Sequence, residues 1–208
     1  MRPNDNLYSA VNITRLILPM FAALLGHAVA GAQASAPMSK ADGFSIGVFG
    51  ASRAFQSTVE GEKGDMISGR SFGGVVHGGF NEHSGIGFRL QAGTLDLDRV
   101  EPNFAQADLT YRYTFRQKSN QFRPFFDVGV AGYAERTEFG GESFEQRGSF
   151  LTLALGGQVH FNQRVALEIV WSAAGGTLYE SRLNGSTVSV ADNTQGAGGL
   201  SIGLVWHP

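Results

Sequence analysis

An all-β fold, an eight-stranded antiparallel up-and-down barrel, is what this sequence predicts, and three observations carry the prediction. Hydrophobicity alternates with period two from residue 43 onward, the segments that do so number eight, and the connections between them are alternately short and long. Composition agrees: among 208 residues there are 29 Gly, 16 Phe and no Cys, and only 16% are charged. That charge content is too low for a disordered chain and low for a soluble surface. The absence of Cys excludes a disulfide framework, Cys-ligated zinc, iron–sulfur clusters and thiol catalysis. A net charge of −2 leaves no nucleic-acid footprint.

The chain opens differently. Arg2 and Arg15 precede an apolar run from Leu16 to Leu25, and the small-residue sites Ala28-Val29-Ala30 and Ala32-Gln33-Ala34 follow. Basic segment, short apolar segment and A-x-A is the layout of a secretory signal peptide. The run is too short for a membrane-spanning helix, which needs roughly 20 apolar residues, and Pro19, Gly26 and His27 interrupt it. The expected division is a signal peptide over 1–34, cut after Ala30 or Ala34, and a barrel domain over 35–208.

The eight strands follow in order. Residues 43–55 (Phe44, Ile46, Val48) and 72–80 (Phe72, Val76, Phe80) alternate but are diluted with Gly. Residues 84–95 set Ile86, Phe88, Leu90 and Ala92 against Gly87, Arg89, Gln91 and Gly93. The clearest is 105–115, with Ala105, Ala107, Leu109, Tyr111, Tyr113 and Phe115 on one face and Gln106, Asp108, Thr110, Arg112 and Thr114 on the other. No helix face has that period. Residues 122–135 continue the pattern, with Pro124 near the start because it cannot donate to a ladder. Residues 150–161, 164–172 and 200–206 complete the set. Short connections fall at Asn81-Glu82-His83, Gln117-Lys118-Ser119-Asn120 and Asn162-Gln163. Long, polar loops are expected at 56–71, 96–103, 136–147 and 174–196, the last the longest and mobile. An even strand number with short turns at one end and long loops at the other is the pattern of bacterial outer-membrane barrels.

Alternation alone does not say which face meets lipid. A soluble ligand-binding barrel of the lipocalin kind would bury the apolar face instead. Two features favour lipid outside. The polar face is thinned with Gly87, Gly129, Ala154, Gly156 and Gly203, which a crowded lumen needs and a wet surface does not. The apolar face carries large side chains, with Phe44, Phe80, Phe115, Phe122, Phe161 and Trp206 close to short turns or strand ends, as in an aromatic girdle at a lipid interface.

The segment Arg123-Pro124-Phe125-Phe126-Asp127-Val128-Gly129-Val130-Ala131-Gly132-Tyr133 resembles a strand of the small outer-membrane β-barrel domain family, typified by OmpA-like, OmpX-like and OmpW-like barrels and opacity-type surface proteins. The closing Gly199-Leu200-Ser201-Ile202-Gly203-Leu204-Val205-Trp206 looks like that family's assembly signal, except that His207-Pro208 follow the aromatic. The resemblance implies an integral protein of the cell outer membrane of a Gram-negative envelope, with membrane lipids, lipopolysaccharide and the outer-membrane assembly machinery as partners. It implies a non-enzymatic structural or surface-interaction role. OmpW-like relatives imply an alternative, a conduit for small hydrophobic solutes. A monomer without cofactor, metal or nucleic acid is expected.

Candidate chemistry concentrates on the polar face. Arg89, Asp108, Arg112, Arg123, Asp127 and Glu168 all lie on it, and His77, Arg89, Arg112, Asp127, Gln158 and Glu168 share a similar distance from the short turns. They read as one layer, either a plug of ion pairs or a gated polar conduit, with Arg112 pairing with Asp127 or Glu168. Acyl-chain chemistry on lipid A would need a Ser or His nucleophile–base pair near lipid headgroups. Parity instead puts His77 and His160 in the lumen, His83 in a turn and His207 past the last strand. Glu82-His83-Ser84 are chain neighbours with no triad spacing, and the histidine spacing matches no metal motif. Arg136-Thr137-Glu138-Phe139-Gly140 and Leu178-Tyr179-Glu180-Ser181-Arg182 mix aromatics with both charges, which suits a partner-binding surface or a rim against lipopolysaccharide.

Overall fold

The structure, a computed structural model, describes residues 43–81, 83–97, 101–115, 121–188 and 193–208. The expected signal peptide over 1–34, the turn Gln117–Asn120, Glu82 and Asp192 lie outside the described residues. The strands are β1 (Phe44–Val59), β2 (Glu62–Gly79), β3 (Ser84–Asp96), β4 (Asn103–Thr114), β5 (Phe122–Phe139), β6 (Glu142–His160), β7 (Val165–Leu183), β8 (Ser186–Val188) and β9 (Asn193–Trp206). Each pairs antiparallel with its neighbours, and β9 joins β7 to β1, so β1–β7 and β9 close into a ring of eight. Closure matters physically, because an open ladder edge in hydrocarbon would leave backbone groups without partners. The short β8 lies outside the ring, hairpinned onto the outer end of β7.

The register carries the alternating pattern around the wall. Phe88 stands opposite Leu109, Tyr111 opposite Val128, Val128 opposite Leu153, Leu155 opposite Trp171, and Ile46 opposite Trp206. All of these point outward, and large apolar groups such as Leu151 and Phe72 are 70% and 74% exposed. A continuous apolar belt of this extent is a lipid face, not a water face.

Three of the four long loops are corrected. Residues 56–71, 136–147 and 174–188 are mostly strand, prolonging β1–β2, β5–β6 and β7–β8 beyond the apolar belt. They close in two-residue turns whose central residues both have positive φ: Glu60-Gly61 (52° and 87°), Gly140-Gly141 (62° and 86°) and Asn184-Gly185 (50° and 81°). Those are the type I′ turns that match strand twist. Toward their tips the extensions lose the apolar alternation because water bathes both their faces, while ladder pairing persists; nearer the belt Leu178 and Ser181 still point inward and are buried. The expected mobile loop at 174–196 is thus largely a hairpin. Residues 98–100 of the connection expected at 96–103 lie outside the described residues; at its ends Leu95 N–H donates to the Pro102 carbonyl at 2.9 Å.

Inward-facing side chains form two stacked layers. Toward the short turns they are charged. Toward the hairpin end Phe55, Leu95, Phe104, Tyr133, Phe150 and Leu178 pack as an apolar cluster.

Candidate functional site

The charged layer is built by register. Arg112 on β4 and Asp127 on β5 are direct partners, as are Arg89 on β3 and Asp108 on β4, and Gln158 on β6 and Glu168 on β7. Antiparallel partners point to the same face, so these pairs enter the lumen together. Arg112 donates from Nε to Asp127 Oδ1 at 2.8 Å and from Nη2 to Asp127 Oδ2 at 2.9 Å. Its Nη1 reaches across the lumen to Glu168 Oε2 at 2.7 Å. Glu168 also accepts from Gln158 Nε2 at 2.9 Å and from Arg89 Nη2 at 3.4 Å. One guanidinium therefore forks to one carboxylate and bridges to a second, the geometry in which Arg holds carboxylates best.

Aromatic rings seat the cations. The Arg112 guanidinium carbon lies 3.4 Å from the Phe125 ring centroid, and that of Arg89 lies 4.5 Å from the Phe49 centroid. Gly156 makes room, since a Cβ there would collide with the Phe125 ring. Asp108 accepts from Gln106 Nε2 at 2.7 Å, with Arg53 and Arg89 nearby. Arg123 is buried near the short turns, where it helps line a cavity of about 50 Å³ with Ser45, Arg112, Gln158 and His207. A second cavity of about 30 Å³, bordered by Arg53, His77, Arg89, Asp108 and Asp127, lies on the other side of the layer. Each has room for a few waters.

The second layer escaped the sequence reading. Phe55 and Phe104 meet edge-to-face at 5.2 Å between centroids, and Tyr133 packs on Phe55, Phe104 and Phe150 at 5.8, 6.1 and 5.2 Å. The signal was parity: Phe104 shares it with Gln106 and Asp108, and Phe150 with Thr152. Leu178, read above as part of an outer loop, is buried in this cluster, and Ser181 is buried too.

The described histidines gather at the short-turn end. His77 and His160 are buried in the lumen, and the His160 and His207 rings stand 5.2 Å apart. His207 N–H donates to the Arg164 carbonyl at 2.7 Å, continuing the β7–β9 ladder by one pair. His83 stacks on Tyr113 beside the Thr114 carbonyl. Of the aromatics near the turns, Phe44, Phe80, Phe115, Phe161 and Trp206 are exposed on the outer wall, and Phe122 is half-buried there.

A closed ring of eight strands with an apolar outside and a charged inside fits one comparison over most of the sequence. The outer membrane protein beta-barrel domain matches residues 20–207. The chain belongs to that family. The fold is similar to Neisserial surface protein A (NspA), at 13% identity and a TM-score of 0.56, covering 80% of this chain and 100% of that one. It is also similar to the outer membrane protein OprG from Pseudomonas aeruginosa, at 13% identity and a TM-score of 0.52, covering 83% and 98%. No curated protein matches the sequence. As a member of the family the protein resides in the cell outer membrane. Family architecture puts short turns toward the periplasm and the long hairpins outside.

Proposed function

We propose that the protein is a non-enzymatic barrel of the envelope, a structural and surface-interaction element closed to solutes. The observation that carries this reading is the doubly stopped lumen: the Arg112–Asp127–Glu168 network lies below and the Phe55–Phe104–Tyr133–Phe150 cluster above it. A conduit for small hydrophobic solutes needs an open path, and the cavities flanking the network hold only a few waters. Catalysis on lipid A needs a base at the outer leaflet, and the histidines of the described strands and turns sit at the opposite end. Lumen residues Arg89, Asp108, Arg112, Arg123, Asp127 and Glu168 are then structural. Phe44, Phe80, Phe115, Phe122, Phe161 and Trp206 form the girdle at the periplasmic interface.

The outer end supplies the surface. Above the apolar belt a ladder of charges runs across β5, β6 and β7, with Arg136–Glu138 at 2.8 Å, Arg136–Glu145 at 3.8 Å, Arg147–Glu180 at 3.8 Å and Arg182–Glu180 at 2.6 Å. Its height suits the headgroups of lipopolysaccharide. Beyond it Phe139 is exposed, and Tyr179 is exposed just below Glu180; both offer contact area to a partner outside. Residues 1–34 serve export, and the 199–206 strand serves recognition by the assembly machinery. Single-channel recording in a planar bilayer tests the reading. It predicts no steady conductance from the wild type, and stable conductance steps would replace it with the conduit.

A further inference from the structure

Above the aromatic cluster the lumen turns polar again, and one acid there has no counter-charge among the described residues. Glu135 is the next inward residue beyond Tyr133 on β5, beside the outward Arg136 that marks the rim, so it stands outside the membrane span. Its Oε2 accepts from the Tyr133 hydroxyl at 2.7 Å. Among the described residues no cationic nitrogen pairs with it within 4.0 Å. Burial raises its carboxyl above the usual range, the mark of a carboxylate short of compensation.

The opposite wall supplies oxygen as well. Gln195 on β9 hydrogen-bonds the Tyr133 hydroxyl, so the two walls meet at that level. Asn193 is the next inward position further out on β9, in line with Tyr133 through the register Tyr133–Gly148–Leu178–Asn193. Asn193 and Gln195 are only 7% and 6% exposed, yet among the described residues Asn193 Oδ1 and Gln195 Oε1 have no hydrogen-bond partner. Two buried amide oxygens without donors, beside a carboxylate without a cation, is an arrangement that costs free energy as it stands. The Phe55–Phe104–Tyr133 floor closes it from below, and the partial exposure of Glu135 leaves it open above.

We propose that this outer vestibule is a binding site for a hard divalent cation, Ca²⁺ in particular, ligated by the Glu135 carboxylate and the side-chain oxygens of Asn193 and Gln195. Hard cations take carboxylate and amide oxygens, and Ca²⁺ tolerates an irregular set completed by water. The site would pin β5 to β9 across the mouth, stiffening the hairpin end that faces the exterior.

Terbium luminescence tests this, because Tyr133 beside the site can sensitise a bound Tb³⁺. The protein is extracted from outer membranes, freed of lipopolysaccharide and titrated with Tb³⁺ in detergent. The expected result is saturable emission from one ion per barrel, displaced by Ca²⁺. Glu135→Gln should weaken binding at least about tenfold (about 1.4 kcal/mol) and Asn193→Ala should weaken it less, whereas Glu138→Gln, an exposed acid outside the site, should leave it unchanged. Heat-modifiable migration checks that each variant is folded; if Glu135→Gln does not fold, Asn193→Ala and the wild-type stoichiometry decide. Absence of saturable emission, or wild-type affinity in a folded Glu135→Gln or Asn193→Ala barrel, overturns the proposal.

Discussion

Replacing Arg112 by Met should destabilise the folded barrel more than any other single change in the lumen. Met keeps the length of the side chain and removes the fork. Asp127 then loses both of its donors, and Glu168 loses its shortest one. The side chains of the trio are 8%, 6% and 5% exposed, so the loss takes place away from bulk water. Breaking a buried pair in this way costs about 3–5 kcal/mol. The lower end applies here, because Gln158 and Arg89 still hold Glu168 and small wet cavities flank the layer. The figure for Arg112→Met is therefore about 3 kcal/mol. Adding Asp127→Asn removes the stranded charge and should restore roughly 1–2 kcal/mol, within the usual range of coupling between contacting residues. Reversible urea unfolding in lipid vesicles, followed by the fluorescence of the lipid-facing Trp171 and Trp206, measures all three variants. Strictly additive effects would show that the two residues do not interact and would remove the ionic stopper from the account.

Leu153→Arg places a charge on the apolar belt and should cost roughly 2–4 kcal/mol in bilayers; unchanged stability would mean that inside and outside are reversed for β6. Because the ring leaves no edge from which to fray, unboiled protein should migrate differently from boiled protein on a denaturing gel, and identical migration would argue against closure. Burial, with Arg123 beside it, holds the His207 imidazole below its usual range. Between that lowered value and about 6.5 the unfolded chain carries a proton that the folded chain does not, so stability should fall as pH drops through that window. Urea midpoints at about pH 8 and pH 5 measure the slope, which His207→Gln should flatten in part; an equal slope in the variant would exclude His207 as a source.

The wall of the barrel could be read from the sequence because lipid imposes the strictest rule in the molecule. Leu151, Leu153 and Leu155 must face hydrocarbon, and a one-residue slip would bury them in the lumen. The opposite parity collects Arg112, Asp127 and Glu168 on one face; the register brings Arg112 to Asp127, and a hydrogen bond across the lumen adds Glu168. The outer hairpins were hidden because water on both faces erases the period-two signal between Gln56 and Arg70. Gly140-Gly141 and Asn184-Gly185 carry type I′ turn chemistry, which marks hairpins in place of loops there. The aromatic stopper was missed for a different reason. Residue type alone assigns Phe55, Phe104 and Phe150 to lipid, whereas their parity puts them on the inner face. A bulge at Tyr179 shifts the register of β7 against β6 and obscured the inward position of Leu178 in the same way.

Spin labels placed one at a time along residues 150–155 of β6 test the central claim most directly, since that stretch crosses both the lipid belt and the stopped lumen. In bilayers, labels at 151, 153 and 155 should collide freely with oxygen and not with a water-soluble relaxant. Labels at 150, 152 and 154 should be shielded from both, as a filled lumen requires. Ready access of the water-soluble relaxant at the even positions would contradict the closed barrel and leave an aqueous channel in its place.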